Sequence, residues 1–441
     1  MVCIPILYRG IREKSMARKK HEAEKKHALR KKEAPSVQDM PDETEHPALS
    51  EEKKPRVSKL LYRIIAALLI AVVLLIILEN KDNLTPENIG NWIRTKAVGF
   101  GFGDGYPAEL TGSTALVGNF GAADGNLYVV SDTALTVLNG SAKEMFSARH
   151  SYNDPTVSEA SGRYLLYNAS GTGYRVETSS GTEISGTSDS SITTGVICDS
   201  GKFALAVQPS DYASELRVYN KNGSLQYKYS FADSYITAVA LNTDGTRAAV
   251  ASTITHAGTL ISRITVLDMS ETEPIAEYES NGNLIFAVQW NRSGRVTAIG
   301  DTETLVSDTS YNFTPYAYDG RTVTAYTLIP SGAVVSVSNY AYGGDSTLLI
   351  FRDSAEPVES DLSGRAVWLS AAGNKVAALL SSSVVSTDLT TGRQEAACNV
   401  PADTKSIAMA DESTVYLLGV REIRKENLKV IETDNTLSQT E

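Results

Sequence analysis

The chain predicts an all-β fold, a β-propeller of eight four-stranded blades, or seven if the final unit is only a tail. The first observation is a phrase that keeps returning: a turn pair, often a basic residue, then a short apolar or alternating strand. It reads Asp124-Gly125, Ser161-Gly162, Ser200-Gly201, Asp244-Gly245, Ser293-Gly294, Ser331-Gly332 and Ala372-Gly373, with Asp411-Glu412 as a degenerate eighth. Successive second positions lie 37, 39, 44, 49, 38, 41 and 39 residues apart. The second observation is another turn one strand later, as in Leu138 to Ser141, Ser179 to Thr182, Tyr219 to Ser224 and Asp388 to Arg393. The third is the lack of any convincing helix inside these units. A period near forty built of short strands and turns marks a propeller blade.

Each unit therefore reads as four strands: one before the first turn, one after it, a third, and an outer fourth beyond the second turn. Trp290 and Trp368 fall on the first strand, where an inner strand packs on its neighbour, and read as core. A ring cannot leave an edge open, yet the last unit offers no clear fourth strand. Pro107 to Leu110 stands where a fourth strand should precede the first unit, and is expected to complete the last blade. The propeller then spans 108–427, followed by a polar, fraying tail over 428–441.

Ahead of the ring lies Ile64 to Leu78, fifteen residues without a polar side chain. Counted from Leu60 to Leu78, a helix rising ~1.5 Å per residue reaches about 28 Å, enough to cross a bilayer core of roughly 30 Å. It predicts one transmembrane helix over 60–78. Cleavage as a signal peptide is disfavoured, because some 60 residues precede it and Glu79-Asn80-Lys81-Asp82-Asn83 offers no small-x-small site. Lys53, Lys54, Arg56, Lys59 and Arg63 crowd its N-terminal flank, so the N terminus is expected in the cytoplasm and residues 79–441 outside.

Residues 1–59 read as a basic, disordered cytoplasmic tail, and Met16-Ala-Arg-Lys-Lys looks a better start than Met1. Residues 79–107 form a stalk. In it Thr85-Pro86-Glu87 opens a short helix with Ile89, Trp92 and Ile93 on one face. Gly99 to Pro107 follows as a loop that lets the chain enter the domain tightly. Its glycines do not fit a phosphate-binding spacing, and no strand precedes them.

Charge excludes some functions. Residues 1–63 hold 16 Lys and Arg against 10 Asp and Glu, and the remainder 25 against 42. An acidic ectodomain repels polyanions, so nucleic acid is not an expected partner for it. Three cysteines, Cys3, Cys198 and Cys398, make neither a disulfide framework nor a zinc spacing. Two inert buried thiols are favoured over a Cys198–Cys398 bridge.

Chemistry is hard to find. There is no G-x-S-x-G elbow, H-E-x-x-H, P-loop or EF-hand loop. The ectodomain's two histidines, His150 and His256, read as satisfied single residues. Asp124, Asp244 and Asp388 stand where Asp closes a turn. Gly343-Gly344-Asp345-Ser346 reads as a hairpin turn rather than a calcium loop. No catalytic, cofactor-binding or metal residue is assigned, and no cofactor is expected.

The second-turn phrase, best in Val385-Ser-Thr-Asp-Leu-Thr-Thr-Gly-Arg393, resembles the Asp-x-x-Thr-Gly-Lys turn of quinoprotein-like propellers. That group includes quinone dehydrogenases and non-catalytic envelope scaffolds of eight blades. The dehydrogenases' adjacent Cys pair is missing here, and the blade-docking Trp is absent from most repeats. Leu84 to Ile93 together with Gly101 to Pro107 looks like the stalk of a family of single-span propeller proteins from Gram-positive bacteria. That resemblance implies fold and membrane location, and no activity.

The expected function is a non-catalytic binding or scaffold module in the cell envelope, its partner an envelope protein or cell-wall polymer. A ligand-binding sensor and an envelope hydrolase with dispersed carboxylates are the alternatives. A cluster of acids at one mouth of the ring would favour the hydrolase. Fold alone assigns none of them.

Overall fold

The computed structural model describes residues 103–431 except 113. The transmembrane helix, the cytoplasmic tail, the stalk helix and Met16 lie outside the described residues. Among the described residues there is no helix long and apolar enough to cross a membrane.

Short apolar strands separated by left-handed turns pair with their sequence neighbours except at the two chain ends, and they make eight antiparallel sheets of the propeller type. The inner strands are Ala115–Ala123, Pro155–Ala160, Ser191–Ile197, Tyr235–Leu241, Ile285–Trp290, Thr322–Ile329, Trp368–Ala372 and Ser406–Met409. They begin blades 1 to 8 in that order, and each heads a sheet whose other strands follow outward. Eight blades of four strands is the count, and seven is set aside.

The repeated first turn works as its residues require. Gly125, Gly162, Gly201, Gly245, Gly294 and Gly373 all hold φ between 57° and 84°, where a side chain is strained. The second turn of blade 7 shows the other device. Asp388 Oδ1 accepts from Thr390 N at 2.9 Å, Thr391 N at 2.8 Å and Thr391 Oγ1 at 3.0 Å. These bonds fold the chain back on itself, and Gly392 at φ 68° completes the reversal.

Packing runs between blades. Eight apolar clusters occur, one at every blade interface, including one that joins blade 8 to blade 1. In that last cluster Tyr416 and Ile423 of blade 8 meet Phe120 and Leu127 of blade 1. Trp290 is buried between blades 4 and 5. Trp368 is half-buried against the interface of blades 7 and 8.

Closure follows the expected route. Ala108–Glu109 pairs with the third strand of blade 8, Glu422–Asn427, in the register Ala108↔Ile423 and Glu109↔Glu422. The ladder is only two residues long. It is reinforced by Leu110 N donating to Arg421 O at 3.1 Å, and by Tyr106, whose ring centroid lies 5.2 Å from that of Tyr416.

Fraying directly after Asn427 is corrected. Leu428 is buried, and Lys429–Val430 adds a fifth strand to blade 7, pairing with Ala396 and Ala397. Ile431 N then donates to Glu395 O at 2.8 Å. The strand escapes a reading by periodicity because it is two residues long, with Val430 exposed and only the preceding Leu428 buried.

Acid should loosen blade 4. Asp268 accepts from Ser270 Oγ at 2.6 Å and from Arg247 Nε at 2.9 Å. The Ser270 hydroxyl first, then the Arg247 guanidinium, hold its carboxyl down from 3.8 to about 2. A lowered folded value stabilises fully above the unfolded one, and the contribution is lost as pH falls from about 4 to about 2. Because the ion pair lies at the surface, with the Arg247 side chain 43% exposed, that contribution is under about 1 kcal/mol. A melting-temperature gap between wild type and Asp268→Asn should therefore exist at pH 6 and close over that window.

Candidate functional site

All eight inner strands run the same way through the ring, so the ring has two chemically distinct ends. The linkers between blades and the loops joining second to third strands gather where the inner strands begin, the loop end. The repeated first turns and the third-to-fourth turns gather at the other, the turn end. The chain enters at the turn end. Gly103 N donates to Ser141 Oγ at 3.1 Å, and Gly105 N to Ser141 O at 3.2 Å, both on a third-to-fourth turn of blade 1. A Cβ on Gly103 would lie 2.4 Å from Lys143 N, so the expected tight entry needs that glycine.

The inner strands enclose an axial channel of about 1260 Å³. Its wall is uneven. Phe286, Tyr326 and Trp368 of blades 5, 6 and 7 form an aromatic arc, and Gly118, Gly195 and Ala238 stand among small residues on blades 1, 3 and 4. Register shifts mark five of the inner strands, a longer break at Ala115/Phe120 in blade 1 and single-residue bulges at Ile192/Thr194, Ile236/Ala238, Ile285/Ala287 and Val323/Ala325. In three of the bulges the extra residue is a threonine that bonds back to the second strand. Thr193 donates to Ala206 O at 3.2 Å, Thr237 to Ala251 O at 3.3 Å and Thr324 to Ser336 O at 3.4 Å. In blade 5 the extra residue is Phe286, whose ring sits 5.1 Å from that of Tyr326. Bulges re-aim side chains, and here one turns an aromatic ring into the channel.

Of the three carboxylates that line the channel among the described residues, Glu159 and Asp199 stand at the turn end, where Arg292 also lines it, and Asp301 stands at the loop end. Gly162 N donates to Glu159 Oε1 at 2.9 Å. Burial pushes the Glu159 carboxyl up and the Asp124 and Asp199 charges add to it, against the lowering by the Gly162 N–H. Of the other turn carboxylates Asp388 is held by the backbone as above, while in the Asp244 turn it is the Asn242 side chain that closes the chain, its Oδ1 accepting from Thr246 N at 2.8 Å and Arg247 N at 2.9 Å. Among the described residues no group of His, Cys, Asp and Glu is placed to hold a metal ion.

The remaining singled-out residues have local explanations. Tyr152 N donates to His150 Nδ1 at 3.3 Å, so Nε2 carries the proton and donates to Ser131 O at 3.2 Å. Burial lowers the His150 pKa and favours this neutral form. His256 is exposed at the tip of a hairpin whose strand is otherwise largely buried. The Gly343–Gly344 segment is a loop between second and third strands, pinned by Arg365 Nη1 donating to Tyr340 O at 2.9 Å and Gly343 O at 3.2 Å. Cys198, in blade 3, and Cys398, on the outer strand of blade 7, are both free. Burial raises both thiols and keeps them protonated. Cys198 is buried and Cys398 half-buried. Reductant should leave the melting temperature unchanged, whereas a bridge closing a 200-residue loop would add roughly 4 to 5 kcal/mol.

The loop end holds what sequence reasoning missed. Of thirteen exposed large apolar or aromatic residues, seven lie there: Tyr212, Tyr235, Leu284, Tyr340, Tyr342, Val367 and Val420. Leu225 and Ile275 are the turn end's share; Tyr326 and Leu328 face the channel, and Val430 and Ile431 belong to the C-terminal strand. Tyr342 is 94% exposed and Tyr340 64%. Exposed rings without a folding role mark binding surfaces. The signal was in Ser338-Asn-Tyr-Ala-Tyr-Gly-Gly-Asp345, where aromatics stand inside a glycine-rich loop rather than a strand.

Residues 112–316 match the model of a family of unknown function (DUF5711). The matched segment reaches the outer strand of blade 5. No curated protein matches the chain. Among solved structures it is similar to the β-propeller domain of Cps50 (Swd1) from Myceliophteria thermophila, at 10% identity and a TM-score of 0.47, covering 73% of this chain and 98% of that one. Apo AztD from Citrobacter koseri is similar at 9% identity and a TM-score of 0.48, covering 66% and 88%. BamB from Moraxella catarrhalis is similar at 12% identity and a TM-score of 0.46, covering 72% and 96%.

Proposed function

We propose that this chain is a membrane-anchored, extracytoplasmic propeller that binds a partner without catalysing a reaction. Its loop end serves as the binding face. The partner is an envelope protein or a cell-wall polymer, and the anchor is the apolar segment 60–78, with the N terminus in the cytoplasm. The stalk's resemblance supports a Gram-positive envelope as its setting.

The observation that carries the reading is the crowding of exposed tyrosines at the loop end, against two exposed apolar residues at the turn end. A monomer that needed only to fold would gain nothing from Tyr342 in solvent. Tyrosine supplies a large, stiff contact surface at little entropic cost, and so recurs in binding loops. Arg365 holds the backbone of the Tyr340 loop in place, which lowers the ordering cost of binding. The described chain also enters the ring at the opposite end, and only the short linker that follows Glu109 reaches this face ahead of the first blade.

Cross-linking in the membrane followed by pull-down tests the reading, with full-length protein beside a chain lacking residues 108–427. A protein or wall fragment recovered only with the propeller present supports it. Recovery of the same material with both chains sinks it.

A hydrolase reading has one observation in its favour, the Asp124, Glu159 and Asp199 carboxylates at the turn end with Glu159 raised. It requires hydrolysis of a glycan that Glu159→Gln abolishes; turnover by both proteins alike, or by neither, removes it.

A further inference from the structure

A second cleft opens at the loop end, away from the Tyr340 loop, between blades 3 and 4. Its volume is about 560 Å³, within the roughly 300–1,000 Å³ usual for small-ligand sites. One wall is the loop between the second and third strands of blade 3, carrying Asp211 and Tyr212. The facing wall is the linker into blade 4, carrying Asp233 and Tyr235. Ala213 N donates to Ala232 O at 3.4 Å and ties the two walls together. Each wall thus presents a carboxylate and a phenol ring, and the rings are 45% and 53% exposed.

The charges select the ligand. No Lys, Arg or His lines the cleft. Asp211 accepts only a neutral hydroxyl, from Ser210 Oγ at 3.0 Å. Asp233 has no ion-pair partner within bonding distance among the described residues, and Arg263, whose charge it reaches, is held 2.8 Å from Glu279. Two carboxylates at the rim repel an anion, and two ring faces attract a cation through their quadrupoles. We propose that this cleft binds an organic ammonium group, as a free alkylammonium or on a larger ligand. The inference goes beyond the macromolecular partner and does not need one.

Tetramethylammonium chloride titrated into the full chain, with ionic strength held constant by sodium chloride, tests it by ligand-observed NMR. Exposed cation–ring and ion-pair contacts are individually weak, so saturable binding is expected with a Kd on the order of 10 mM. Tyr235→Ala should weaken it about threefold to fivefold, and the double variant Asp211→Asn/Asp233→Asn at least as much. All three positions are exposed, and unchanged melting temperatures verify that the variants fold. Choline should compete, while its uncharged isostere 3,3-dimethylbutan-1-ol should not. Competition by N-acetyl-lysine amide widens the source to lysine side chains; failure to compete restricts it to alkylated ammonium, and both keep the class. No saturation up to 100 mM, equal binding by the variants, or equal competition by the alcohol would overturn the proposal. Tyr340→Ala/Tyr342→Ala, elsewhere on the same face, should leave this binding unchanged, which separates it from partner capture.

Discussion

Tyr106→Ala lowers the stability of the propeller by about 2–3 kcal/mol, although the residue lies outside every repeat. Removing a fully buried large aromatic costs roughly 3–5 kcal/mol, and Tyr106 is half-buried, so part of that applies. Three links concentrate the effect. Its ring packs 5.2 Å from Tyr416, which is 1% exposed at the interface of blades 8 and 1. Its hydroxyl donates to Asn139 O at 3.0 Å, fastening the entering chain to blade 1. Next to it the closing ladder has only the pairs Ala108↔Ile423 and Glu109↔Glu422. Ring closure thus leans on one side chain more than the strand length suggests. Tyr106→Phe keeps the ring and loses the hydroxyl bond, so it should cost only about 1 kcal/mol. Calorimetry on the full chain would read both, and equal loss in the two variants would show that the hydroxyl, not the packing, holds the closure.

Phe203→Ala should cost more, about 3–5 kcal/mol. Phe203 is fully buried on the second strand of blade 3. Its ring lies 4.8 Å from Tyr219 at 9° and 5.8 Å from Tyr174 of blade 2. Three rings from two blades fill the space between sheets, and two sheets cannot slide together to refill it without breaking contacts elsewhere in a closed ring. Phe203→Leu retains most of the volume and should cost less than about 1.5 kcal/mol. Chemical denaturation of both variants gives the comparison; an alanine cost below that of leucine would mean that the interface collapses freely.

These two sites differ in how visible they are from sequence. Phe203 sits directly behind the Gly201 turn, where the repeat announces a buried strand. The period near forty works because every first turn needs a residue tolerant of positive φ, and because the strand behind it is buried on both faces. Ring closure was legible for a related reason: a last unit with three strands demands a fourth from somewhere. Lys429–Val430 was not legible, since a two-residue strand shows no alternation. The binding surface was the least legible. Tyr212, Tyr235, Tyr340 and Tyr342 occupy loops, where exposure follows no period, and a reading built on periodicity looks past them. Asp124 and Glu159 illustrate the limit from another side. The first read correctly as a turn residue, yet only the closed ring shows that its charge also reaches the carboxyl on the next blade.

The central claim is that the loop end, and not the turn end, engages the partner. The most direct measurement compares cross-linked recovery by the full-length protein, by Tyr340→Ala/Tyr342→Ala and by Leu225→Ala/Ile275→Ala. All four positions are exposed and their replacement should move stability by less than about 0.5 kcal/mol. At least a tenfold drop in recovery is expected for the tyrosine pair and none for the turn-end pair, since two aromatic anchors contribute on the order of 2 kcal/mol or more to an interface. Undiminished recovery by the tyrosine variant, with loss in the turn-end variant, would contradict it.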